Sequence, residues 1–370
     1  MDQIKKNSIE NTLKIIFKAF FCIICIFFLV FMPQIVFNHN NYVLDINQYL
    51  SSNEKSKIIL SLYHVETFEG GSKSRSKYLE REAILFNKNY PNVYISVTTL
   101  SPEQLVLNIK ENNLADIYSF GTGVGEYLSG YLGSLDWSNA LPESDKLNCM
   151  MGDKLLCLPY IKSGYFLISN ENLLKYNKKI ENFDKIDNNY RLQSITKDRK
   201  DIKGVSIGLG FSSSLSAITS LSATKGDYEV FDTLYKAYCN FVEGKSVSLL
   251  GTMRDMFRCK NREDKGSLSS CIYTPFSTYS DLIQYIAYVE SNNSIKMQTA
   301  KLFIQHLLST QAQSRLAGYG LLSPCKNKIY VDDPMSFYED EISKATSISA
   351  FTPLSEIEQI RLNAINKIFV

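Results

Sequence analysis

The sequence predicts an α/β protein built from two units. Three observations carry this: short apolar runs alternate with helical stripes, the polar body opens in βαβαβ order, and a second α/β series follows an interrupted middle. In the first unit, Ile58-Ile59-Leu60-Ser61-Leu62-Tyr63 reads as a strand, and His64 to Ser74 as a polar loop bearing Gly70-Gly71. Tyr78, Leu79, Ala83, Ile84, Leu85 and Phe86 put an apolar stripe on a helix from about Ser76 to Asn89, which Tyr90-Pro91 stops. Val93 to Val97 alternates as a strand. Ser101-Pro102-Glu103-Gln104 is a helix start, with Ser as cap, Pro in the first turn and Gln at the capping-box position. Leu105, Ile109 and Leu114 face inward, and Ala115 to Tyr118 forms the third strand. This order makes the sheet largely parallel and puts ligand loops at the carboxyl ends of its strands.

The second series begins with two apolar runs, Leu155 to Tyr160 and Gly164 to Ser169, joined by Ile161-Lys162-Ser163. Asn170 can cap a short helix, Glu171 to Tyr176. Val205 to Leu209 reads as a strand, and Tyr228, Phe231, Leu234, Tyr235, Tyr238 and Val242 stripe a helix capped by Asp227. Further strands are expected at Val247 to Leu250, Ser270 to Tyr273 and Ile286 to Val289. A helix from Lys296 to Leu308 turns Ala300, Phe303, Ile304 and Leu307 inward, and another closes the chain near Ser355 to Ile368. No repeat of fixed period occurs, which excludes a solenoid.

Ahead of this body, Ala19 to Phe37 carries no charged residue, and Lys5, Lys6, Lys14 and Lys18 all lie on its amino-terminal side. That arrangement matches an export signal or an anchor helix with its lysines held in the cytoplasm. No small-x-small pair follows Met32, and neither Cys22 nor Cys25 follows a small residue, so an uncleaved transmembrane anchor without lipid is expected. The soluble body then lies on the extracellular face of the cell membrane. Asn38 to Ser56 is polar and reads as a tether.

The lead holds four of the chain's 40 basic and two of its 38 acidic residues, so the body is electrically balanced. Nucleic-acid binding draws on clustered Lys and Arg, and no such stripe is evident in the sequence; no nucleic-acid partner is expected. Six cysteines outside the anchor (Cys149, Cys157, Cys239, Cys259, Cys271, Cys325) contain no C-x-x-C pair, which excludes a zinc ribbon. Cys259 and Cys271 are the most plausible local pair, but scattered buried thiols fit the spacing better. His39, His64 and His306 offer no metal spacing, and neither a G-x-S-x-G nor an H-E-x-x-H motif occurs, so no catalytic residue, metal or cofactor is expected.

Four segments, in order, resemble the extracellular solute-binding proteins of ABC importers, the group that includes maltose-binding protein. Leu158-Pro159-Tyr160 through Leu173-Leu174 is similar to the family's interdomain crossing, and Ala300 to Gln313 to its late helix. Tyr319-Gly320-Leu321-Leu322-Ser323-Pro324 resembles the turn that follows, and Asn89-Tyr90-Pro91-Asn92-Val93 the link between the first helix and second strand. The resemblance covers residues 57 to 370. It implies a two-lobed periplasmic-binding-protein-like type II fold with a central mixed sheet in each lobe, preceded here by the N-terminal transmembrane helix. Residues 1–38 are the lead and anchor, 39–56 the linker, 57–159 with 277–323 the first lobe, and 160–276 with 324–370 the second. It further implies a monomer that captures a small solute, expected to be a carbohydrate, in the interlobe cleft and passes it to a membrane permease. An anionic solute, a membrane-tethered sensor and a glycan-active enzyme are the alternatives. The missing lipid-attachment cysteine and the Tyr or Phe where relatives place Trp depart from the pattern.

Within that frame, His64, Glu66, Thr67, Phe68, Glu69, Ser72 and Arg75 crowd beside Gly70-Gly71, where backbone amides can approach a ligand. Gly121-Thr122-Gly123-Val124-Gly125 reads as a plain cleft loop, since its spacing lacks the third glycine of a dinucleotide fingerprint. Gly251-Thr252 follows a strand and opens a helix whose free amides could meet an anionic or hydroxyl group. Arg254 is a candidate beside them, with pairing to Asp255 as its alternative role. Phe68, Tyr165, Phe276 and Tyr279 are the rings expected in or near the cleft, where they could stack on a sugar face, with core packing as the competing role for all four, and Trp137 is expected near the cleft rim. Glu66 and Glu69 form a carboxylate pair, without further indication of the geometry glycoside hydrolysis needs.

Overall fold

The computed structural model describes residues 57–66, 74–175, 202–208, 228–276, 279–331 and 335–369. Its elements, in order, are β1 (Ile58–Val65), α1 (Arg75–Asn89), β2 (Val93–Leu100), α2 (Pro102–Lys110), β3 (Ile117–Gly121), α3 (Gly125–Leu128), β4 (Met150–Met151), β5 (Lys154–Leu155), β6 (Leu158–Lys162), β7 (Tyr165–Asn170), α4 (Glu171–Lys175), β8 (Lys203–Gly208), β9 (Tyr228–Phe231), α5 (Leu234–Val242), β10 (Ser246–Thr252), α6 (Met253–Asp264), β11 (Cys271–Pro275), β12 (Tyr279–Ser280), β13 (Ile283–Tyr288), α7 (Ser294–Leu307), α8 (Thr310–Ser314), α9 (Met335–Ser343), β14 (Thr346–Ser347) and α10 (Leu354–Phe369). Among the described residues no helix is long and apolar enough to cross a membrane. The anchor and tether expected before Lys57 lie outside the described residues.

Two five-stranded mixed sheets organise the body, one in each lobe. The first has the order β2-β1-β3-β13-β6, with β1 and β3 parallel and β13 antiparallel to both β3 and β6. The second has the order β11-β7-β10-β8-β9, in which β8, β9 and β10 run parallel and β7 opposes β10 and β11. The chain leaves the first sheet after Lys162, enters the second at Tyr165, and returns between Pro275 and Ile283. Lys162 and Leu322 then exchange backbone hydrogen bonds of 2.9 and 2.8 Å, after which α9 packs Met335 and Ile342 against the second sheet. The first sheet thus keeps the chain through Lys162, past the Pro159–Tyr160 boundary expected from the sequence.

Strand β7 shows why the second sheet reads as a continuous apolar run. Tyr165 and Leu167 enter one buried cluster with Val205, Ile207 and Leu250, whereas Phe166 and Ile168 enter another with Phe241, Met253 and Met256. Side chains alternate across a strand, and one covered on both faces has no polar side to show. On α1 the expected stripe is buried at Tyr78, Leu79, Ala83 and Phe86, while Ile84 is exposed. The capping box at Ser101 forms as expected: Ser101 Oγ accepts from the Gln104 amide at 3.3 Å, and the Ser101 amide donates to Gln104 Oε1 at 2.8 Å. Asn170 Oδ1 likewise accepts from the amides of Asn172 and Leu173 at the start of α4.

One expected helix is divided. Tyr228 to Phe231 forms the edge strand β9, in register with β8 from Val205 opposite Tyr228, and α5 starts only at Leu234. Thr233 caps it by accepting from the Lys236 amide at 3.2 Å; Asp227, the expected cap, lies outside the described residues. Aromatic and β-branched residues at 228, 230 and 231 suit a pleated surface, and a neighbouring strand edge overrides their helical spacing. All six described cysteines are free thiols; Cys149, Cys157 and Cys259 are buried, whereas Cys239, Cys271 and Cys325 are partly exposed.

Candidate functional site

Segments from both sheets meet around Asp281, in the return from the second sheet to the first. Tyr165, the first residue of β7, donates its hydroxyl to Asp281 Oδ1 at 2.7 Å, and Thr122, just past β3, donates to the Asp281 carbonyl at 3.3 Å. The Phe276 amide donates to the Tyr165 carbonyl at 2.9 Å, and Thr252 lies opposite Tyr165 in the β10–β7 ladder. Crossing strands therefore bring Thr122 and Tyr165 together at Asp281, a polar floor, with Thr252 and Phe276 next to Tyr165 along the backbone. Tyr165 and Thr252 are buried, whereas Thr122, Phe276 and Asp281 are partly exposed. Burial raises the Asp281 carboxyl to about 6, with the Tyr165 hydrogen bond opposing the rise only in part.

That elevation has a definite sign. The native state binds this proton more tightly than the unfolded chain does, so the stabilisation is fully present below the ordinary 3.8 and is lost as pH rises through about 6. Replacing Asp281 with Asn, which keeps an acceptor for Tyr165, is expected to remove that loss and to raise stability near neutral pH by about 1–3 kcal/mol. Denaturant unfolding of both proteins across the window checks it; a constant offset at every pH contradicts it.

The other predicted residues fall into several places. His64 is the penultimate residue of β1, not the opening of a loop, and is buried with its Nδ1 2.9 Å from Ser119 Oγ. Burial, and then the Arg75 charge, hold its imidazole down to about 3, so it is neutral. Arg75 is 1% exposed and donates from Nη1 to Gln284 Oε1 at 2.8 Å. Gln284 Nε2 in turn donates to Ser119 Oγ at 3.0 Å, which also bonds the Tyr160 hydroxyl at 2.7 Å. His64 and Arg75 thus form part of a buried polar chain with Ser119, Tyr160 and Gln284. Glu66 is half-buried; Thr67, Phe68, Glu69 and Ser72, on the loop itself, lie outside the described residues.

In the glycine loop, Gly121 ends β3 buried, paired with Gln284. Gly123 takes a φ of 96° and bridges Pro353, and a Cβ on Gly125 would stand 2.2 Å from the Ala350 carbonyl oxygen. The chain's own carboxyl-terminal segment covers these two glycines. Thr122 alone of this loop reaches the floor by a side-chain bond. At the start of α6, the Thr252 amide and hydroxyl both donate to Asp255 Oδ2, at 3.0 and 3.1 Å, and the Met253 amide donates to the Gly164 carbonyl at 2.8 Å. Two donors expected to be open to a ligand therefore have protein acceptors. Gly251 is buried, its Cβ direction 3.1 Å from Asp255 Cβ. Arg254 is 4% exposed, and Asp255 pairs with Arg258 at 3.0 Å. Tyr279 lies in β12, paired with Thr346 of β14. Trp137 is half-buried, and its enclosed Nε1 has no hydrogen-bond partner among the described residues.

Asp281 was absent from the sequence expectations. Its only signal was polarity in Ser280-Asp281, between two apolar strands where the chain had to change lobes. Among the described residues, no group of three His, Cys, Asp or Glu side chains could hold a metal ion.

No family model and no curated protein matches the sequence. Solved structures do match the fold. The GacH receptor of Streptomyces glaucescens GLA.O, known unliganded and with acarbose, superposes with a TM-score of 0.61 at 13% identity, over 85% of this chain and 94% of the receptor. An ABC substrate-binding protein of Listeria monocytogenes in complex with cycloalternan gives 0.58 at 13% identity, over 84% and 97%. A chitin oligosaccharide binding protein gives 0.60 at 11% identity, over 85% and 95%. Each is a receptor or binding protein. The fold of this chain is the two-lobed α/β fold of sugar-binding proteins of ABC importers.

Proposed function

We propose that the protein is the extracellular solute-binding component of an ABC importer, that it captures a carbohydrate between its lobes, and that it hands the sugar to a membrane permease. The convergence of both sheets on Asp281 is the observation that supports this reading most. A carboxylate accepts hydrogen bonds from neighbouring sugar hydroxyls, the Thr122 hydroxyl adds a donor or acceptor, and the partly exposed Phe276 ring offers an apolar face to a pyranose. The Asp281 charge disfavours an anionic solute at the same floor. Segments that cross between sheets beside the ligand suit a hinge about which the lobes close. Ala19 to Phe37 tethers the body to the membrane in this account, and the working unit is a monomer.

The test is thermal unfolding of the full-length chain with neutral mono- and oligosaccharides, amino acids and small anions. A true ligand at 100 times its dissociation constant adds about 2.7 kcal/mol. Stabilisation by a neutral saccharide is the expected result. Stabilisation by amino acids or anions alone would contradict the carbohydrate reading, and no stabilisation by any solute would contradict capture.

A further inference from the structure

The geometry points to a second site, for a small oxyanion bearing phosphoryl or carboxylate groups, on the face of α6 that carries Arg258 and Arg262. It is independent of the Asp281 floor. Arg254, Arg258 and Arg262 recur every four residues along α6 and so share one helix face, which Lys265 extends past its end. They border an open cavity of about 360 Å³, completed by Tyr238 of α5 and by Tyr319. Among the described residues, none that lines it is acidic.

Cations stacked at this spacing repel one another, yet they gather here on a body whose charge is balanced overall. An aromatic ring, as much as a carboxylate, holds the outer two. The guanidinium carbons of Arg258 and Arg262 lie 5.8 and 6.0 Å from the centre of the Tyr238 ring, and Arg262 Nε donates to the Tyr238 hydroxyl at 3.0 Å. Arg258 pairs with Asp255 through Nη1. Planar guanidinium groups braced on a ring present their remaining N–H groups in a fixed fork that matches the oxygens of phosphate or carboxylate. Tyr319 arrives on the segment that follows α8, and the adjoining Gly320 sits so close to Phe257 that a Cβ there would meet its side chain at 3.0 Å. The wall that segment supplies is therefore tightly fitted to α6.

The experiment is calorimetric titration of the full-length chain with inorganic phosphate and, separately, citrate, at low ionic strength and with sodium chloride as the control. Saturable one-site binding of phosphate identifies phosphoryl chemistry, and of citrate alone carboxylate chemistry; both support the site. Arg258→Glu combined with Arg262→Glu should weaken that binding at least about tenfold, the worth of a single charge-assisted hydrogen bond, while Asp281→Ala leaves it unchanged. Circular dichroism confirms that the double variant, altered at two side chains that are not buried, remains folded; if it does not, Arg262→Ala alone serves, with a severalfold loss expected. Failure of both anions to bind saturably, or equal binding by the wild type and the folded variant, overturns the proposal.

Discussion

Replacing Glu82 with alanine is expected to lower the unfolding free energy by about 3–5 kcal/mol, the loss typical of removing one partner from a buried ion pair. The Glu82 side chain has no exposed surface, although it lies on the core stripe of α1. Its Oε1 accepts from Arg315 Nε at 2.7 Å, and its Oε2 from Arg315 Nη2 at 2.5 Å and from His306 Nε2 at 3.0 Å. One carboxylate thereby ties α1 to α7 and to the turn after α8. The same three segments meet again where Tyr78 packs edge-on to Tyr319 and Phe86 packs edge-on to Phe303. Burial alone would raise the Glu82 pKa, but the bonds from Arg315 and His306 outweigh it and hold the carboxyl below its ordinary value. Its stabilisation is therefore present above the ordinary 4.5 and is lost as pH falls through the depressed native value. Alanine leaves a guanidinium and an imidazole without their acceptor, and the acid limb of the stability curve should flatten. Denaturant unfolding measures both effects. A loss below about 1 kcal/mol would mean that water replaces the carboxylate at little cost.

The second large effect falls on binding. Asp281→Ala is expected to weaken carbohydrate affinity by about 10- to 100-fold, the range for hydrogen bonds to a charged group. Wild-type affinity should itself fall as pH drops below about 6, because protonation replaces an acceptor lone pair with a donor. Tyr165→Phe removes the hydroxyl that orients the carboxylate and should give a smaller loss with the same pH dependence. Calorimetry with the saccharide that most stabilises the chain reads all three. Unchanged affinity in Asp281→Ala would remove this residue from the site.

Local signals were legible where the chain's neighbours along the sequence decide the outcome. The Ser101 capping box, the α1 stripe and the Asn170 cap all involve partners within a few residues, and each forms as its residue types require. β9 was misread as helix because its partner, β8, comes from an earlier segment, and a strand edge is not visible in local periodicity. Glu82 escaped notice for a related reason: its partners, His306 and Arg315, are more than 200 positions away. Thr122, Tyr165, Thr252 and Phe276 were each singled out from sequence, but Asp281, which bonds the first two, was not. A lone aspartate has no pattern, and only the meeting of two sheets gives it a role. Of the α6 cations, Arg254 was singled out from sequence, but the face it shares with Arg258 and Arg262 was not. Spaced by four in the sequence, with Asp255 and Glu263 among them, they form no run, and only the helix face brings them together.

A crystal structure of the chain grown with the saccharide that stabilises it would test the central claim most directly. Sugar hydroxyls are expected within hydrogen-bond distance of Asp281 and Thr122, with a ring face against Phe276. Saccharide bound elsewhere, with the floor between the sheets left to water, would contradict it.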